Sequence, residues 1–97
     1  MNEADQLLAR FHPVASRLLF DQLYAFQNAA KDIDRQRNES NYRLLCEQSV
    51  RTLRRELEAE AHHFLQQNQE APQIGAIDLH LRQLVQDYLY QFLQRCG

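Results

Sequence analysis

The residue types that could do chemistry in this chain gather between Asn41 and Gln67, in the stretch NYRLLCEQSVRTLRRELEAEAHHFLQQ. Glu60-Ala61-His62-His63 contains E-x-x-H, the spacing by which di-iron carboxylate bundles aim two helical ligands at one metal. Such sites need two of these motifs and two further carboxylates. This chain holds one, so a two-fold dimer would have to supply the second. The same stretch is apolar at Tyr42, Cys46, Val50, Leu53, Leu57, Ala61 and Phe64, steps of three and four that share one helix face. At 100° per residue, His63 falls about 110° and His62 about 150° from the centre of that face. Both are expected at the surface near a helix C-terminus, where a partly protonated imidazole is favourable against the dipole. His12 and His80 stand alone, without ligand spacing. Neither a metal nor another cofactor is expected.

The second chemical feature is arginine. Ten of the eleven Lys and Arg residues are Arg, and six of those ten, Arg35, Arg37, Arg43, Arg51, Arg54 and Arg55, lie within residues 35–55. Such a stripe could contact phosphates. The competing expectation is a solvated face tied by i, i+4 ion pairs, for which Glu47–Arg51 and Arg54–Glu58 have the spacing. Asp32, Asp34, Glu39 and Glu47 dilute the cluster, and the net charge of −2 argues against a dedicated nucleic-acid binder.

Cys46 and Cys96 are fifty residues apart with no CxxC; Cys46 is expected as a small buried side chain, and Cys96 as a free thiol able to form an intermolecular disulfide in air. Nucleophile elbow, phosphate-cradling glycine loop, dinucleotide fingerprint and zinc-knuckle spacing are all missing. Two glycines leave little of the loop structure that usually carries catalytic groups, and no enzyme is expected. Met1-Asn2-Glu3-Ala4-Asp5 is acidic and leads into no long apolar run. It reads as neither signal peptide nor membrane span, and a cytoplasmic protein is expected.

The elements that must position these residues are helical. With 2 Gly and 2 Pro in 97 residues, and 44 % hydrophobic residues, the composition favours one domain of a few long helices. Asn2 can cap a short first helix carrying Ala4, Leu7, Leu8 and Phe11, which His12-Pro13 is expected to interrupt. A second helix from Pro13 to about Arg37 repeats Ala15, Leu19, Leu23, Phe26, Ala30 and Ile33 at coiled-coil spacing. Phe20 and Tyr24 lie off that seam; they either pack on another helix of the chain, as a bundle usually arranges, or mark a partner surface. Ser40 or Asn41 would cap the third helix. A single rod from Pro13 to Gln67, roughly 80 Å long at 1.5 Å per residue, is the alternative to a hairpin. Residues 69–76, with Pro72 and Gly75, are the clearest loop. The last helix, from Ile77 to Arg95 or Cys96, is apolar at Ile77, Leu81, Leu84, Val85, Tyr88 and Phe92, and Leu89, Tyr90 and Leu93 extend it to a second face.

The fold expected is all-α: a small antiparallel bundle of a short N-terminal helix plus three long helices, oligomeric, as a single domain over residues 1–97. No family signature stands out at Pro13–Ile33, in the Arg/Glu/His run or in the last helix. The function expected is a non-enzymatic protein–protein interaction module, a small adaptor, regulator or chaperone-like subunit. It would bind a protein partner or itself as a homodimer through Phe20, Tyr24, Leu89, Tyr90 and Leu93. The alternative is a helical subunit of a nucleoprotein complex using Arg51, Arg54 and Arg55. A third possibility, a metal-bound or catalytic bundle, would rest on Glu60 and His63.

Overall fold

A computed structural model describes residues 3–96, with the side chains of residues 3 and 4 left aside; the Asn2 cap lies outside the described residues. Among the described residues the chain is all-helical with three helices, α1 (Glu3–Ala30), α2 (Glu39–Gln67) and α3 (Ile74–Cys96), so the expected count of four is corrected. The helix break at His12-Pro13 does not occur, and Pro13 lies inside α1. A proline there removes the donor that would serve the carbonyl of Ala9. Ala9, His12 and Pro13 are all exposed, so water can take that role. Meanwhile Leu7, Phe11, Ala15, Leu19, Leu23 and Phe26 are all buried, at steps of four and three that run through the proline without a change of phase. Burying each large member of that stripe contributes roughly 1.5–3 kcal/mol, and the five together outweigh a local penalty of about 3 kcal/mol.

α1 ends at Ala30, seven residues before the expected Arg37. Residues 31–38 then turn, with the Asp34 carboxylate accepting from the backbone N–H of Gln36 at 3.0 Å and of Arg37 at 3.3 Å. This Asx-type turn supplies the stop that no glycine or proline provides. The single rod over residues 13–67 is thereby replaced by a hairpin: Phe26 meets Tyr42 near the turn, and Phe11 meets Phe64 at the far end, rings edge to face 5.5 and 5.6 Å apart. α2 begins at Glu39 rather than after Ser40 or Asn41. Asn38 stands at its N-cap without a side-chain cap bond. At the other end the Asn68 amide donates to the carbonyl of Phe64 at 2.8 Å, covering one of the terminal carbonyls.

The connection to α3 is shorter than expected. Gln73 takes a positive φ of 65°, and α3 starts at Ile74, so Gly75 lies within the first turn of a helix. α3 returns along both other helices, and one core of Leu19, Leu53, Leu57, Leu81, Phe11 and Phe92, each under 2 % exposed, joins all three. The whole is elongated, 53 × 18 × 17 Å. Among the described residues no helix is long and apolar enough to cross a membrane.

The reading of Cys46 as a lone buried side chain and of Cys96 as a free thiol is also corrected. The two pair as a disulfide, with Cα atoms 6.7 Å apart, inside the usual range for such a bond. Nothing in their fifty-residue separation signals this; the pairing follows from α3 returning to the N-terminal half of α2. The Tyr42 hydroxyl donates to the Cys96 carbonyl at 2.6 Å, satisfying an orphan acceptor at the end of α3. Phe92 packs on Phe26 at 5.9 Å and the Arg35 guanidinium sits 4.8 Å from the Tyr42 ring centroid. One end of the molecule is therefore clasped covalently and by aromatic packing.

Candidate interaction surface

The exposed apolar side chains are where the helices place more hydrophobic surface than the core can use. Of the expected partner anchors, Phe20 is 53 % exposed, Tyr24 68 %, Tyr90 62 % and Leu93 46 %. Phe20 and Tyr24 are thus not taken up by packing within the chain, although Arg95 lies 5.2 Å from the centroid of the Phe20 ring. Leu89 departs from the expectation. At 3 % exposure it belongs to the core, and a carboxylate placed there would be buried. The physical reason is that α3 faces two helices at once, so its buried arc widens to take in both Tyr88 and Leu89.

Two exposed leucines escaped sequence reasoning, Leu44 on α2 and Leu79 on α3. Leu79 carried a usable signal. Leu79, Gln83, Gln86, Tyr90 and Leu93 follow one another at steps of four, three, four and three, a heptad register on the face of α3 turned away from its core stripe.

Two open grooves run along the α2–α3 seam at opposite ends. One, of 670 Å³, is floored by Leu81 and Val85 and rimmed by Glu58, His62, Gln86 and the Asp78–Arg82 ion pair. The other, of 400 Å³, is floored by Cys46, Val50 and Leu93 and rimmed by Arg43, Glu47, Arg51 and Arg54. The seam therefore carries a slight excess of negative charge at one end, from Glu58, and of positive charge at the other.

The arginines differ from expectation in their pairing. Neither Glu47–Arg51 nor Arg54–Glu58 closes to an ion pair. Ion pairs form instead at Arg43–Glu39, 3.1 Å, Arg37–Asp34, 3.6 Å, and Arg82–Asp78, 3.2 Å. Arg51, Arg54 and Arg55, all exposed, make no ion pair among the described residues.

Glu60 is half-buried and His63 exposed, while His62 lines the acidic groove. Among the described residues no three or more His, Cys, Asp or Glu side chains come together in a metal-binding group. His12 ties α1 to α3: its Nδ1 lies 2.9 Å from the Tyr88 hydroxyl, which also approaches the His12 carbonyl at 3.4 Å. No buried side-chain polar atom among the described residues lacks a partner.

Comparison with protein-family models, with characterised proteins and with solved structures finds no match for this chain. The candidate surface is defined by its own geometry.

Proposed function

We propose that this chain is a non-enzymatic interaction module, an adaptor, regulator or chaperone-like subunit built as an antiparallel three-helix bundle and working through the outer face of α3. The observation that carries this reading is Leu79, Tyr90 and Leu93 standing exposed at heptad register on one helix face, with uncharged Gln83 and Gln86 between them. Helix-in-groove recognition uses this arrangement, a few large apolar anchors within a polar rim. Cytoplasmic residence belongs to the same reading. There the glutathione pool would favour Cys46 and Cys96 as thiols, held within reach of each other and able to close on oxidation.

The test is capture from native lysate with Tyr90→Asp plus Leu93→Asp beside the natural chain, with and without nuclease. Loss of captured proteins by the variant, with helicity unchanged, supports the reading. Identical capture by both sinks it.

A second reading, the helical subunit of a nucleoprotein complex, is favoured by the guanidinium groups of Arg51, Arg54 and Arg55, which form no ion pair among the described residues. It predicts RNA or DNA binding that weakens steeply with salt and disappears on charge reversal at those positions. A flat titration at low salt disposes of it.

A further inference from the structure

We infer that the partner of the α3 face is a second copy of this chain, with the two α3 helices antiparallel about a two-fold axis at Gln86. This rests on the interaction-module reading and names the occupant of its surface.

Symmetric spacing is the first observation. Leu79 and Leu93 lie seven residues on either side of Gln86, and Arg82 and Tyr90 lie four residues on either side. A two-fold contact requires that residue i meet residue j while j meets i. An antiparallel pair centred on Gln86 does this throughout. Leu79 packs beside Leu93 of the second copy, and the Arg82 guanidinium reaches Tyr90 of the second copy, a cation–π geometry. The two Gln86 amides meet at the axis, each carbonyl able to accept from the other's NH₂. Arg82 is extended toward solvent, its side chain 77 % exposed while its Nε remains on Asp78.

Charge is the second observation, and it is independent of the first. Along the α2–α3 seam, Arg82 is bonded to Asp78 in one groove and leaves Glu58 as its excess charge, whereas Arg43, Arg51 and Arg54 outnumber Glu47 in the other. Antiparallel pairing lays the acidic end of each copy over the basic end of its mate, so the match is made twice. Parallel pairing sets like charge over like, which costs energy at close range. A nucleic acid would satisfy only the basic end and would place phosphates beside Glu58 and Asp78. Residues 79–93 span about 21 Å of helix, a contact at the small end of specific interfaces, so dissociation on the order of micromolar is expected.

The experiment is molar mass against concentration on the full chain, by sedimentation or light scattering, joined to thiol cross-linking. Mass should rise from one chain to two. Leu93→Glu, or Arg51→Glu with Arg54→Glu, should weaken the dimer on the order of tenfold with circular dichroism unchanged. With Cys46 and Cys96 paired, Gln86→Cys is the one free thiol and should cross-link to dimer on mild oxidation, while Gln91→Cys, exposed elsewhere on α3, should not. A single-chain mass up to about 1 mM, equal cross-linking at both positions, or a mass increase that nuclease abolishes would each overturn the pairing. Single-chain mass together with a capture defect in the Tyr90/Leu93 variant removes self-pairing and leaves the interaction module standing; single-chain mass with normal capture removes both.

Discussion

Breaking the bond between Cys46 and Cys96 should cost this molecule a large fraction of its stability. The bond closes a loop of sequence separation 50, which holds the rest of α2, the second connection and nearly all of α3. In the chain-entropy treatment, cross-linking a loop of that length removes about 14 cal/mol/K from the unfolded ensemble, or about 4 kcal/mol at 25 °C. Domains of this size are stable by roughly 5–15 kcal/mol in total. The effect on the folded side is small by comparison, because Cys96 is buried and Tyr42 and Phe92 still hold that end when the bond is absent. With a urea dependence of about 1.5 kcal/mol/M, the unfolding midpoint of the reduced protein or of Cys46→Ala with Cys96→Ala should fall by on the order of 2.5 M. The melting temperature should fall by about 15–30 °C. Alkylation without reductant, read by intact mass, establishes first that the oxidised sample carries no free thiol. If oxidised and reduced proteins then unfold within about 0.5 kcal/mol of each other, the unfolded loop is already compact and the entropic reasoning fails. If both cysteines alkylate in protein prepared under air, the pairing itself is wrong.

Two further predictions concern the backbone. Pro13→Ala restores a donor to the Ala9 carbonyl within α1 and should stabilise by about 1–3 kcal/mol in thermal unfolding; a loss of stability would mean that Pro13 fits this helix better than its missing N–H suggests. Gln73→Gly should gain up to about 1 kcal/mol by relieving a positive φ, and Gly75→Ala about 0.5 kcal/mol, since a Cβ there meets nothing within 4 Å. The glycine stands two residues from where the backbone uses it, so the double variant should be additive or better, and destabilisation by either change refutes the turn geometry.

Helical class was legible because periodicity is a local property: the α2 stripe from Tyr42 to Phe64 can be read from spacing alone, and its members are buried or half-buried. Element boundaries were less so, because punctuating residues set costs that tertiary burial can exceed. Pro13 is one case, since Leu7, Phe11 and Ala15 lie in phase on both sides of it. Gly75 is another, tolerated in a helical turn where its lack of a side chain is only a modest expense. The i, i+4 spacing of Glu47 with Arg51 permits an ion pair without compelling one, and nothing in the structure explains why this pair stays open. The disulfide could not be read at all, because it depends on where α3 lies against α2. Leu89 was misjudged for a related reason: the width of a buried arc depends on how many neighbours a helix has, and that number is a property of the assembled fold.

The placement of charge bears most directly on function. α2 carries nine charged side chains in 29 residues, whereas α3 carries four in 23. A helix on the outside of a small protein, flanked by solvent, would normally spend its outer face on charge, as α2 does. α3 instead sets Leu79, Gln83, Gln86, Tyr90 and Leu93 there; of its four charges Asp78 and Arg82 are bonded to each other and Arg95 lies over the Phe20 ring. Exposing that face to water alone gains nothing, and its polar members are those that can bond equally well to an amide of another chain. With the Cys46–Cys96 bond closed, the clasp gives the face its rigidity. Leu93 lies one turn before Cys96, and the same Cys46 that holds Cys96 floors the groove in which Leu93 sits. The last turn of a helix ordinarily frays. Here it is fixed by a covalent bond and by the Tyr42 hydroxyl on its terminal carbonyl, which holds the exposed Leu93 at a defined position beside the guanidinium groups of Arg51 and Arg54.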